Sequence, residues 1–280
     1  MALLSINREL LASAAAREAD RQLVRYIRET LAPILPRLPT RPDLVAPFVH
    51  EAGQAAVLAG YGAGRSYSFH VMADLLLGPR WQAEPQYSRI ARILDDPGMA
   101  QDTRLTLAMN AVIEARQELE AALPAMLDAA LATLAIHWEA LSPRDTWNAL
   151  FQMARARGVR HHDIRALFDV YEAGFRAGNG LRPSRSHPVS GYAILGYEAL
   201  GRPIPPPDDD FRDYTPRLAV AFNAQVLLAQ LYGLFHRDNA LLSDLRRIAA
   251  DTSNLGEHQA ELTHFLRSHR RALTELPDGR

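Results

Sequence analysis

Apolar residues recur at steps of three and four along almost the whole chain, and no stretch alternates in the manner of a strand. Leu23, Val24, Ile27 and Leu31 make one such stripe, Val45, Phe48, Val49 and Val57 a second, and Ile90, Ile93 and Leu94 a third. A repeat near 3.6 residues places these side chains on one face of a helix, and burying those faces requires helices stacked on helices. The expected fold is therefore all-α, a multi-helix bundle of about ten to twelve helices. The length, 280 residues with 48% hydrophobic side chains, suits one large domain or two small ones.

Proline and glycine mark the helix ends. A first helix is predicted from about Ile6 to Leu31, halted by Pro33, Pro36, Pro39 and Pro42. Asp43 is placed to cap a second helix, which Gly60, Gly62 and Gly64 end. Ser66 to Leu77 reads as a very apolar helix stopped by Gly78-Pro79, and Pro85 opens another that stops at Asp96-Pro97-Gly98. A long helix starts near Asp102, with Pro124 expected to kink or divide it before Leu141. Ser142-Pro143-Arg144-Asp145 is the strongest local signal: a capping hydroxyl, proline at the first helical position and an acid facing the helix dipole. The expected division is an N-terminal helical subdomain over 1–141 and a C-terminal one over 142–280, the latter with a Pro/Asp-rich loop at 201–214.

Composition removes several chemistries. The chain has no cysteine and no lysine, so thiolate metal sites, a Cys nucleophile, Schiff bases and a P-loop lysine are excluded. A formal charge of -1 argues against non-specific nucleic-acid binding. Met1 to Glu9 lacks a basic segment followed by an apolar one, and Leu123 to Trp138 is interrupted by Asp128 and His137. Neither a secretory signal nor a membrane span is expected, and the expected location is cytoplasmic.

Asp209-Asp210-Phe211-Arg212-Asp213 matches DDxxD. It resembles the aspartate-rich motif of isoprenoid synthases, which implies Mg²⁺ held by Asp209, Asp210 and Asp213 against a diphosphate. The second metal motif of that family is met only by Asn239 and Ser243 followed by Arg247, whose charge would repel a cation. This is the enzymatic alternative, and a solvated acidic turn is the simpler reading. His161, His162 and Asp163 have ligand chemistry but adjacent helical positions diverge. His258, Glu261 and His264 share a helical face without HExxH, and His269 follows. His50 and His137 are general-base candidates if they line a cleft, and core histidines otherwise. No G-x-S-x-G, P-loop or G-x-G-x-x-G occurs, and no cofactor is expected.

Arginines interleave with acids between Arg65 and Arg116, with Tyr61, Tyr67, Trp81 and Tyr87 nearby, and Arg plus aromatic residues compose protein-binding hot spots. The expected partner-binding residues are Tyr61, Arg65, Arg80 and Trp81. The order Ser5-Ile6-Asn7-Arg8-Glu9, Gly60-Tyr61-Gly62, Arg65, Phe69 to Trp81, Glu84-Pro85 and Ile90 to Leu94 resembles a group of helical bacterial proteins encoded beside type VI secretion effectors. That resemblance covers about residues 5–120, and Gln82-Ala83-Glu84-Pro85 replaces the group's Asp-x-Asp-Pro turn. It implies a non-enzymatic accessory role, as adaptor, chaperone or immunity partner of a secreted effector or toxin. A helical small-ligand-binding protein is the remaining alternative.

Overall fold

A computed structural model describes residues 8–31, 37–62, 64–137, 140–184, 190–206, 211–250 and 254–275. The fold is all-α: 79% of the chain is helical, in eleven α-helices with no strand among the described residues. They are α1 (Arg8–Thr30), α2 (Val45–Leu58), α3 (Gly64–Leu77), α4 (Ser88–Leu94), α5 (Gln101–Leu134), α6 (Pro143–Ala156), α7 (His161–Gly178), α8 (Gly191–Ala199), α9 (Pro216–Tyr232), α10 (Ser243–Ala250) and α11 (Leu255–Glu275). Ile6, Pro33, Pro36, Trp138, Glu139, Asp209 and Asp210 lie outside the described residues.

One local expectation fails, and so does one of the two alternatives for Pro124, division of the helix. Asp43 caps nothing; it sits inside a 3₁₀ turn, Pro42–Leu44, that leads into α2 without a side-chain cap. Pro124 neither divides nor ends α5, which runs 34 residues through it. An interior proline costs about 3 kcal/mol, but Leu123, Met126 and Leu127 beside it are all buried, and that packing outweighs the lost hydrogen bond. Ser142 performs as expected: its Oγ accepts the Asp145 N–H at 3.3 Å, and Asp145 Oδ2 accepts the Ser142 N–H at 2.8 Å.

Residues 141–142 do not separate two cores. One apolar cluster joins Leu119 to Leu134 of α5 with Ala149 and Met153 of α6, Leu227 and Leu231 of α9, Leu245 of α10, and Leu262 and Leu266 of α11. Another packs Ala240 and Leu241 against Ile27, Phe48, Val49, Val71 and Leu75 of α1, α2 and α3. The cap at Ser142 turns the chain, but the apolar face of α5 continues past the turn and needs α6, α9 and α11 to cover it. The expected subdomains are thus interlocked through shared cores.

α3 is apolar almost all round because two cores claim it. Val71 and Leu75 face α1 and α2, while Phe69, Ala73, Leu76 and Leu77 face Trp81, Ile90, and Leu105, Ala108 and Val112 of α5. Its C-terminal end meets the end of α9 backbone to backbone. A Cβ on Gly78 would stand 2.9 Å from the Tyr232 carbonyl oxygen, and one on Gly233 3.2 Å from that of Leu77. Both glycines have positive φ, 99° and 92°, so the crossing needs glycine for conformation as well as space.

α8 is the exception to this packing. Its sequence, Gly-Tyr-Ala-Ile-Leu-Gly-Tyr-Glu-Ala, is apolar, yet none of its residues is buried.

A groove at the amino end of helix three

A recess of about 740 Å³ lies between α1, α3 and the first turns of α5. Ala15, Ala16 and Ala19 of α1 line one wall, where small side chains leave room. Phe69 and Met72 of α3 and Leu105 and Met109 of α5 supply apolar surface, and Gln22, Ser68, Thr106 and Asn110 add neutral polar groups. Among the described lining residues, Arg65 is the one charged side chain. Thioethers adapt to irregular partners, and this volume falls in the range of built binding sites.

The groove takes its shape from the turn before α3. Gly60 and Gly64 adopt left-handed φ of 87° and 65°, which swings the chain from α2 into α3 and leaves Gly62 and Gly64 on the groove wall. Arg65 then falls in the first turn of α3. Its guanidinium pairs with Asp102 at 3.2 Å and donates to Thr106 Oγ1 at 3.1 Å, both on α5. Both charges of that pair are well exposed, so it contributes little stability and leaves Arg65 able to take another anion. Inside the wall, Tyr67 donates its hydroxyl to Asp20, and burial together with that carboxylate pushes its pKa well up. Apolar side chains also stand out beside the turn: Leu58 is 89% exposed and Val57 51%.

The four expected partner-binding residues separate. Tyr61 is exposed at the same turn, its ring 4.5 Å from that of His70. Tyr61 and Arg65 therefore share the amino end of α3. Arg80 lies beyond its carboxyl end, with φ of 54°; it pairs with Asp238 and stacks on Phe235 at 3.5 Å from the ring centre. Trp81 has no exposed surface and packs edge-on against Tyr87 in the core. As a binding residue it is a correction: Gly78-Pro79 turns the chain back after α3, and Trp81 fills the space between α3, α4 and α5.

The polar groups that do converge were not legible as a site. Glu84 is fully buried and accepts three hydrogen bonds: from the Tyr171 hydroxyl at 2.8 Å, the Gln86 amide at 2.8 Å and the Leu234 N–H at 3.1 Å. Gln230 donates to Tyr171 at 3.1 Å, and the buried Arg157 donates to the Tyr87 hydroxyl at 2.8 Å. Burial raises the pKa of Glu84, opposed by those hydrogen bonds and by the charge of Arg157. The adjoining cavity, lined by Tyr87, Arg116, Arg157 and Gln230, holds only about 20 Å³, the space of a single water. Through these bonds Glu84 ties together the turn after α3, α7 and the end of α9. Its seven members come from the turn at 84–87, from Arg157 and Tyr171, and from Gln230 and Leu234, and no local motif connects these segments.

The remaining candidates do not assemble. Among the described residues, no three of His, Asp and Glu are grouped to hold a metal ion. Asp213 is exposed, and Asn239 Oδ1 accepts the Leu241 N–H at 3.0 Å as a turn cap. His161 is exposed, as are His50 and His137, against the expectation of a cleft or a core. His50 faces outward from α2, 3.7 Å from Asp20, and His137 follows the end of α5. The shared face of His258, Glu261 and His264 splits: His258 is buried against the Ile248 carbonyl oxygen at 3.0 Å, while Glu261 and His264 are exposed. His269 is buried between Tyr232 and the Arg37 carbonyl oxygen, at 2.8 and 2.7 Å. Burial lowers its pKa to about 4, and that of His236 likewise, so both are neutral at pH 7.

No described helix is long and apolar enough to cross a membrane. Comparison with protein-family models, with curated proteins and with solved structures returns no match.

Proposed function

We propose that this chain is a non-enzymatic interaction protein whose working surface is the groove between α1, α3 and α5. The observation that carries this reading is a half-open apolar recess of about 740 Å³ with one cation at its mouth and exposed apolar side chains beside it. Val57, Leu58, Tyr61 and Arg65 extend the surface beyond the recess, which suits a protein segment better than a small molecule. The segment that fits is a short amphipathic helix with an acidic side chain for Arg65. A secreted effector or toxin, implied by the resemblance of residues 5–120, is one bearer of such a segment. Asp213 is exposed on its turn and does not line the groove.

A photo-activatable residue at Thr106 tests the reading in the native host, with the exposed Arg267 position as control. A discrete protein adduct is expected at Thr106, absent at Arg267 and lost when Met109→Glu places a charge in the groove. Equal labelling at both positions, or none at either, would refute a docking role for the groove.

A further inference from the structure

We propose that the groove receives α8 of a second copy of this chain. The proposal rests on the groove being a docking site and names its occupant. α8 is capped, with Ser190 Oγ accepting the Ala193 N–H at 3.2 Å, yet only Ala193 and Tyr197 are even half-buried. Tyr192 is 91% exposed and Leu195 65%. Ala193 and Tyr197 mark its partly covered side, and the opposite, apolar side at Tyr192 and Leu195 has no packing partner within the described chain.

The two surfaces match in chemistry. Tyr192, Leu195 and Ala199 fall at helical steps and form one apolar ridge. Glu198 is exposed beside that ridge and is the one charged residue of α8. Arg65 is the one charged residue among the described lining of the groove. Laying the ridge on Met72 and Met109 with Glu198 toward Arg65 covers the apolar side chains of both and brings a carboxylate to the guanidinium. Arg65 is held meanwhile by Asp102 in an exposed pair that a second carboxylate joins or displaces at small cost.

Size favours a reciprocal exchange. Nine helical residues extend about 14 Å, and one such contact is small against the roughly 1,200–2,000 Å² buried in stable interfaces. When each copy gives its α8 to the other, the contact is doubled and the assembly closes on a two-fold axis.

Light scattering on the eluting full chain, across a dilution series, tests this. The expected result is a dimer that Leu195→Glu or Arg65→Glu weakens at least tenfold, each without loss of helical signal or thermal midpoint. Glu198→Arg alone weakens it likewise, and combining Glu198→Arg with Arg65→Glu restores it. A wild type that is monomeric throughout the series overturns the proposal, as does a dimer indifferent to Leu195→Glu. Binding of a monomeric wild type to anionic phosphatidylserine vesicles, lost in Leu195→Glu, assigns α8 to a lipid surface and also overturns it. A monomer whose Thr106 position still crosslinks to a different protein refutes this occupant and leaves the docking role intact.

Discussion

Asp74→Asn should stabilise this protein, and the gain should depend on pH in a defined direction. Asp74 lies in α3 with 5% exposure, one turn after His70. Burial raises its pKa from 3.8 to about 7, against the opposing effects of the Arg80 N–H that it accepts and the charge of Arg80. Below pH 3.8 the carboxyl is protonated both folded and unfolded, and its burial carries no charge penalty. As pH rises from 3.8 to about 7, the unfolded chain gives up this proton before the folded one does. The folded state then binds more protons, so stability falls with rising pH through that window and the penalty is complete above it. The gap between 3.8 and about 7, at 1.36 kcal/mol per pKa unit, comes to about 4 kcal/mol. Asparagine keeps the size and an oxygen for the Arg80 N–H but never ionises. His70, one turn earlier, has a pKa lowered from its ordinary value by its own burial. Urea unfolding between pH 4 and 8.5, followed by Trp81 and Trp147 fluorescence, measures wild type and variant side by side. The variant should be more stable by several kcal/mol at pH 8 and equal to wild type near pH 4. A difference constant across the range, or a variant weaker than wild type at pH 8, would show that Asp74 is not penalised by burial.

Two further outcomes follow from the core. Glu84→Ala leaves the Leu234 N–H and the Tyr171 hydroxyl without their acceptor and Arg157 without its counter-charge, and should cost about 3–5 kcal/mol in urea unfolding. Glu84→Gln, which removes the charge but keeps one acceptor oxygen, should cost less; equal losses would mean that the charge alone, and not the accepted hydrogen bonds, accounts for the cost. Trp81→Ala should cost about 3–5 kcal/mol, since its side chain is wholly buried, while Tyr61→Ala, 40% exposed, should change stability by less than about 1 kcal/mol. Similar thermal shifts for the two would contradict their assigned environments.

The helical class, most helix positions and the Ser142 cap are properties of the sequence, because hydrophobic period, proline, glycine and capping hydroxyls act over a few residues. Tyr61 and Arg65 stand out for the same reason: a glycine-rich turn must leave its neighbours at a helix start. Tertiary packing decided the rest. Arginine and aromatic residues read alike in sequence at Arg65 and at Arg80-Trp81, but the turn at Gly78 drives Trp81 inward and carries Arg80 to Phe235 and Asp238. α5 absorbs Pro124 because the apolar faces of α6, α9 and α11 close over it, and that same closure merges the two expected subdomains. The groove is formed by α1, α3 and α5, and the Glu84 hub by groups up to 150 positions apart, a separation that local rules do not span. That α8 buries none of its apolar residues is likewise decided by what the other helices leave uncovered, which a local pattern cannot encode.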